Sequence, residues 1–128
     1  MNIGRFIAAG VLLQDARSFV ICGGASINQG ILKSCDKLDV FTEQFAEAGA
    51  VADMSVPRSN AEAVLYKGNM VVLGGYDGTS ILNSAEVYSS STNTWSSFTS
   101  FRVARFGFGA AVVKNQIFIA GGLNSPVS

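Results

Sequence analysis

Met70-Val71-Val72-Leu73-Gly74-Gly75-Tyr76-Asp77-Gly78 is an apolar run closed by a glycine pair and a polar loop, and it decides the fold. Ala85-Glu86-Val87-Tyr88 and Thr92-Asn93-Thr94-Trp95 follow it. The glycine pair occurs twice more, as Gly23-Gly24 and Gly121-Gly122, at spacings of 51 and 47 residues. A motif that returns at roughly 50 residues marks a stack of repeated supersecondary units.

The second and third copies align without a gap. Residues 57–74 lie over 104–121 with Arg, Ala, Lys and Gly in register. The first copy starts at Arg5-Phe6 and is two residues longer between Arg and Gly, with the extra pair expected in the turn around Gln14-Asp15-Ala16-Arg17. Each copy predicts four strands, a to d. Strand a is apolar and small (8–13, 61–66, Gly109–Val113). Tight turns at Lys67-Gly68-Asn69 and Lys114-Asn115-Gln116 follow, where Gly and Asn supply the positive φ of short hairpins. Strand b is a continuous β-branched and aromatic run (19–22, 70–73, 117–120), the mark of burial on both faces. Strand c is expected at 37–41 and 85–88, and strand d from Phe45 and from Trp95. The alanine-rich stretch 43–52 is expected as an irregular strand.

Four antiparallel strands cannot bury two apolar faces by themselves. Sheets stacked face to face about an axis can, which is a β-propeller. The glycine pair suits it, since the backbone bends out of strand b where neighbouring blades crowd. Tyr88 and Trp95 are expected to fill the space between blades.

The chain has 128 residues, one domain's worth, with 48% hydrophobic and only 14% charged residues, against ~25% charged in an average globular chain. Nine basic residues balance nine acidic ones, so no electrostatic footprint for nucleic acid or an anionic membrane is expected. There is no histidine, which excludes imidazole-based metal sites and triads, and no cofactor is expected. Cys22 and Cys35 are too few for a disulfide framework and are expected as free thiols in a reducing, cytoplasmic compartment. Arg5 followed by the apolar stretch 6–13 imitates a short signal peptide, but the repeat alignment makes it the first strand a. No apolar run reaches the ~20 residues of a membrane-spanning helix.

These residues resemble the kelch repeat: an Arg before strand a, a glycine pair after strand b, then Tyr and Trp. The second copy carries all of it, in Arg58, Gly74-Gly75, Tyr88 and Trp95. The first has Arg5 and Gly23-Gly24, with Phe41 for the Tyr and Phe45 for the Trp; the third has Arg105 and Gly121-Gly122. The resemblance implies an all-β chain: a kelch-type β-propeller fragment of four-stranded antiparallel blades forming an incomplete ring. Blade one is expected at 1–57, blade two at 58–104 and half of blade three at 105–128. Strand 116–120 would then be an apolar edge, open to self-association.

The start of strand a and the end of strand b lie on one face of such a propeller. That face is expected to gather Arg5, Arg58, Ser59, Asn60, Arg105 and Phe106 with Tyr76, Asp77 and the loops 25–30, 76–80 and 123–125. The repeated Arg has two readings: a guanidinium ring for anions, or a structural tie between loop carbonyls. The resemblance implies a protein-interaction module, not an enzyme, whose partner is a protein bound through these loops. Two alternatives stand beside it. One is part of a sialic-acid-mutarotase-like enzyme, which needs only Arg and carboxylates. The other is a truncated piece without a function of its own. No BTB- or BACK-like helical region is present.

Overall fold

The computed structural model describes residues 4–122. Among them are β1 (Ala9–Leu12), β2 (Ser18–Cys22), β3 (Ala25–Ser26), β4 (Gly30–Ile31), β5 (Cys35–Asp39), β6 (Gln44–Phe45), β7 (Glu62–Tyr66), β8 (Asn69–Leu73), β9 (Ala85–Ser89), β10 (Thr94–Phe98), β11 (Gly109–Val113) and β12 (Gln116–Ala120). They form two four-stranded antiparallel sheets, β1-β2-β5-β6 and β7-β8-β9-β10, and two hairpins, β11-β12 and β3-β4. The repeat units are blades, and no closed ring forms among the described residues.

Turn chemistry sets each register. Tyr66 pairs with Asn69 and Val113 with Gln116. The two-residue loops between them have positive φ at both positions, 48° and 83° at Lys67-Gly68 and 51° and 60° at Lys114-Asn115. This is the turn whose twist matches that of the strands it joins. In blade one the Leu13 amide donates to the Ser18 carbonyl at 2.8 Å, closing a four-residue loop that absorbs the two extra residues. Asp15 holds this loop by accepting from the Arg17 and Ser18 amides and the Ser18 hydroxyl.

Blade one departs from the sequence expectation at its third strand. β5 is Cys35–Asp39, not 37–41, and its register sets Leu38 opposite Phe45, as Tyr88 stands opposite Trp95. Leu38 therefore takes the tyrosine's place. Phe41 sits in the turn, 72% exposed, with the Arg17 guanidinium 5.5 Å from its ring centre. Asp39 accepts the Phe41 and Thr42 amides and ends the strand before Phe41 can join it. The outer strand β6 keeps only two residues, and most of 43–52 is loop.

Two cores lie between the blades. Val20, Cys22, Val51, Met54, Met70, Val72 and Tyr88 join blades one and two. Val64, Val71, Leu73, Ala85 and Phe108 join blades two and three. Side chains alternate across each strand, so Met70 and Val72 face back to blade one while Val71 and Leu73 face on to blade three. The loop 46–57 crosses between blades and is pinned by blade two. The Trp95 indole donates to the Ala52 carbonyl at 2.8 Å, and the Ala52 amide donates to Asn93 at 3.0 Å. Tyr88 donates its hydroxyl to the same Asn93 side chain at 2.7 Å, 5.1 Å from Trp95 ring to ring.

The glycine pair works at the seam. Gly74 donates its amide to Ser84 of its own blade at 2.9 Å, and Gly75 donates to the Arg105 carbonyl of the next blade at 2.8 Å. Gly23 and Gly24 repeat this with Ser34 at 3.0 Å and Arg58 at 2.7 Å. Gly74 has a φ of +62°, and a Cβ there would lie 2.7 Å from the Arg105 carbonyl oxygen.

Cys22 and Cys35 are not free thiols. They face each other across the β2–β5 ladder with Cα atoms 4.1 Å apart and form a disulfide. The reducing-compartment expectation loses its premise. In blade two the same ladder position is the apolar pair Leu73 and Ala85. The bond thus ties strands b and c in the blade whose outer strand is shortest.

Two outcomes follow from the seam and the disulfide. Gly74→Ala combines a disfavoured φ with overlap against backbone, and is expected to destabilise by about 2–4 kcal/mol in urea unfolding. Closing a loop of this length is worth about 3 kcal/mol. Dithiothreitol should therefore lower the melting temperature of the wild type. It should leave unchanged a Cys22→Leu, Cys35→Ala variant carrying blade two's pair.

Candidate functional site

Arg58 is 1% exposed. Its Nη1 donates to the carbonyls of Gly74 and Ser84, both at 2.9 Å. Its Nη2 donates to the Ser84 hydroxyl at 3.0 Å, and Nε and Nη2 both reach Glu86 Oε2 at 3.2 Å. Glu86 also accepts the Ser55 and Val56 amides at 2.8 and 3.3 Å. Burial pulls the Arg58 pKa down, and the opposing Glu86 charge pushes it back up. A guanidinium keeps its charge throughout the physiological range.

Arg5 repeats the arrangement in blade one. It donates to the carbonyls of Gly23 and Ser34 at 2.8 Å, to the Ser34 hydroxyl at 3.4 Å and to Asp36 at 3.0 Å. The shorter Asp36 leaves Arg5 Nε without a partner. Apart from Arg5 Nε, the side-chain donors of Arg5 and Arg58 are spent inside their own blades. Ser59 is buried with them, its amide and carbonyl exchanged with Tyr76 at 2.9 Å each way. Arg105 donates to the Gly121 carbonyl at 2.7 Å.

The remaining residues form the surface. Phe6 bridges to Ala25, and Ser59 to Tyr76, so the start of strand a and the loop after strand b do share one face. The loop 123–125 lies outside the described residues. Tyr76 and Phe106, from adjacent blades, stand 6.4 Å apart ring to ring, and the Tyr76 hydroxyl donates to Gly78 at 2.9 Å. Asp77 accepts the Thr79 and Ser80 amides at 2.8 and 2.7 Å, which hold its carboxyl below the usual range and fix the loop as a turn. Phe6, Ile7 and Ile27 are exposed, Ile27 at 94%. A cleft of about 430 Å³ runs between the strand-a entry at Gly4, Arg5 and Phe6 and the loop at Ser26, Ile27 and Asn28.

One backbone line crosses this face. Ile7, Asn60 and Gly107, each two residues after its arginine, have φ of 53°, 54° and 64°. The Asn60 amide donates to Ile7 at 3.1 Å and the Gly107 amide to Asn60 at 2.9 Å. Sequence reasoning missed the acidic partners Asp36 and Glu86. Their signal was visible as Ser34-Cys35-Asp36 and Ser84-Ala85-Glu86, a Ser–small–acid triplet opening strand c. It was hidden by a one-residue difference in distance from the glycine pair.

Removing one partner of a buried ion pair strands the other charge, at a cost of about 3–5 kcal/mol. Arg58→Met is expected to lose that much in urea unfolding. Adding Glu86→Leu should recover most of it, because neither charge is then left alone.

The kelch-motif family model matches residues 57–102, which is blade two. The F-box/kelch-repeat protein At1g67480 of Arabidopsis thaliana is 32% identical over 116 residues, covering 88% of this chain and 30% of the relative. Kelch repeat-containing protein kel-10 of Caenorhabditis elegans is 34% identical over 121 residues, covering 91% of this chain and 20% of the relative. The chain thus spans less than a third of the length of these curated relatives. The solved structure of YjhT superposes with a TM-score of 0.79 at 21% identity, over 95% of this chain and 35% of that one, a likeness of fold. With its arginines, seam glycines and Tyr–Trp pair each in place, the chain belongs to the kelch-repeat family.

Proposed function

We propose that this kelch module binds a protein partner through the loop face bearing Phe6, Ile27, Asn60, Tyr76 and Phe106, and that it acts by binding rather than by catalysis. The observation that carries this is the contrast on that face. The arginines beneath it are consumed by Asp36, Glu86 and loop carbonyls, while aromatic and aliphatic side chains above them are exposed. A mutarotase-like reading needs guanidiniums open to a substrate carboxylate, and Arg5 and Arg58 are closed to one. An aromatic pair held rigidly by two blades costs little entropy to immobilise, which is what favours Tyr and Trp as interface anchors. Specificity then rests on residues that differ between blades at equivalent positions, such as Ser59-Asn60 against Phe106-Gly107.

Peptides selected from a displayed random library on the immobilised wild-type protein supply the test. The Tyr76→Ala, Phe106→Ala double variant is expected to bind the selected peptides at least about tenfold more weakly, with circular dichroism and melting temperature unchanged. Equal binding by the variant would sink the assignment of the face.

A further inference from the structure

The loops that follow the first two glycine pairs do the same work with different fastenings. Gly23 donates to Ser34 at 3.0 Å and Leu32 to Gly24 at 2.8 Å, as Gly74 does to Ser84 at 2.9 Å and Leu82 to Gly75 at 2.8 Å. Each loop then receives the linker to the next blade: Met54 and Arg58 donate their amides to Lys33 and Leu32, and Phe101 and Arg105 donate theirs to Asn83 and Leu82. Side chains lock the loop of blade two further. Asp77 accepts the Thr79 and Ser80 amides, the Tyr76 hydroxyl reaches Gly78, and Tyr76 bridges to Ile81. The counterparts in blade one are Ala25, which has no hydroxyl, and Ser26, which holds only the Asn28 amide at 3.4 Å.

The tie beneath blade one's loop is weaker too. Asp36 leaves Arg5 Nε without a partner among the described residues, where Glu86 takes Arg58 Nε at 3.2 Å. What blade one has instead is the Cys22–Cys35 bond across the two ends of the loop. Cys22 precedes the glycine pair, and Cys35 lies between Ser34 and Asp36, both acceptors of Arg5. The segment it closes carries Ile27, 94% exposed on the loop face. It also carries Ile31, which lies 3.7 Å from where a Cβ on Gly78 would stand, so the loops of blades one and two are neighbours.

We propose that the Cys22–Cys35 pair is a redox control on the loop face. Oxidised, it holds residues 23–34 in the conformation that meets the partner; reduced by a dithiol, it releases them and weakens binding while the blades stay folded. This rests on the loop face being the binding surface. One thiolate of the dithiol attacks Cys35 Sγ, and Cys22 departs as a thiolate and takes up a proton. The dithiol's second sulfur then attacks its first, and Cys35 departs and is protonated in turn. Two electrons and two protons enter the protein, and the dithiol leaves as a disulfide. Cys22 and Cys35 are 1% and 5% exposed, so the attack requires the start of β5 to open. A partner seated on the loop opposes that opening. Coupling of this kind is reciprocal: reduction weakens the partner by the factor by which the partner resists reduction. The strands themselves pair without the bond, since Leu73 and Ala85 hold the same ladder position in blade two.

The probes are cysteine-free peptides selected on the oxidised wild type whose binding is weakened both by Tyr76→Ala, Phe106→Ala and by Ile27→Ala. Anisotropy titrations with and without dithiothreitol, well below the melting temperature, supply the readout. The reduced wild type is expected to bind at least about fivefold more weakly, the lower end of an ordinary coupling between two sites. The Cys22→Leu, Cys35→Ala variant should bind alike with and without the reductant. Hydrogen exchange at the Leu32, Met54 and Arg58 amides should quicken on reduction, with β8 still protected and circular dichroism and Trp95 fluorescence unchanged. Saturating peptide should slow the loss of the disulfide. Equal affinity of the two forms overturns the proposal, as does unchanged exchange in the loop. So does unfolding of the whole chain on reduction, because the bond is then a brace of the fold. If no selected peptide depends on Tyr76 and Phe106, the loop-face reading fails and this control with it; peptides that depend on them and bind both forms equally refute the control alone.

Discussion

Everything in this structure hangs on one residue type doing two jobs at each seam. The side chain of Arg58 closes its own blade by drawing the end of β8 and the start of β9 onto one guanidinium. Its main-chain carbonyl meanwhile receives the Gly24 amide of the blade before. Five donors in a fixed planar fork meet two carbonyls, a hydroxyl and a carboxylate, a set that lysine's point charge cannot match. The desolvation of a buried guanidinium is large, and it is tolerated because every neighbouring acceptor is used. Glu86 extends the knot by taking two amides of the linker that enters its blade. Blade closure and blade docking are therefore one network.

That network explains why the glycine pair is so conspicuous in the sequence. In blades one and two a side chain on the first glycine would collide with the arginine carbonyl of the next blade, and one on the second with the backbone at the start of its own blade's strand a. Their spacing, and the continuous apolar runs before them, were enough to read the strands a and b, the hairpin turns and the stacking of units. The two-residue surplus in the first copy also fell where the turn chemistry of Gln14–Arg17 suggested.

What the sequence concealed was concealed for physical reasons. The aromatic at position 41 looked like the interblade tyrosine, but Asp39 captures the following amides and turns the chain early, so Leu38 fills that place. The pairing of Cys22 with Cys35 needed the register of β2 and β5, which two cysteines 13 residues apart do not specify. Asp36 and Glu86 did not stand out as a repeated feature because the loop ahead of them differs by one residue between the copies. The loop face was legible as a location from topology alone. Which of its residues are buried supports and which are exposed required the hydrogen bonds.

The line of main-chain bonds through Ile7, Asn60 and Gly107 has a consequence for how such chains diversify. Neighbouring units grip each other there through amides and carbonyls on a shared left-handed backbone turn, with no side-chain contact in the bond itself. An aliphatic, an amide and a bare glycine occupy equivalent places. A unit can thus be duplicated, lost or exchanged with another of its kind and still find its neighbour's backbone in position. The side chains at the mouth of the axis are left to vary one blade at a time.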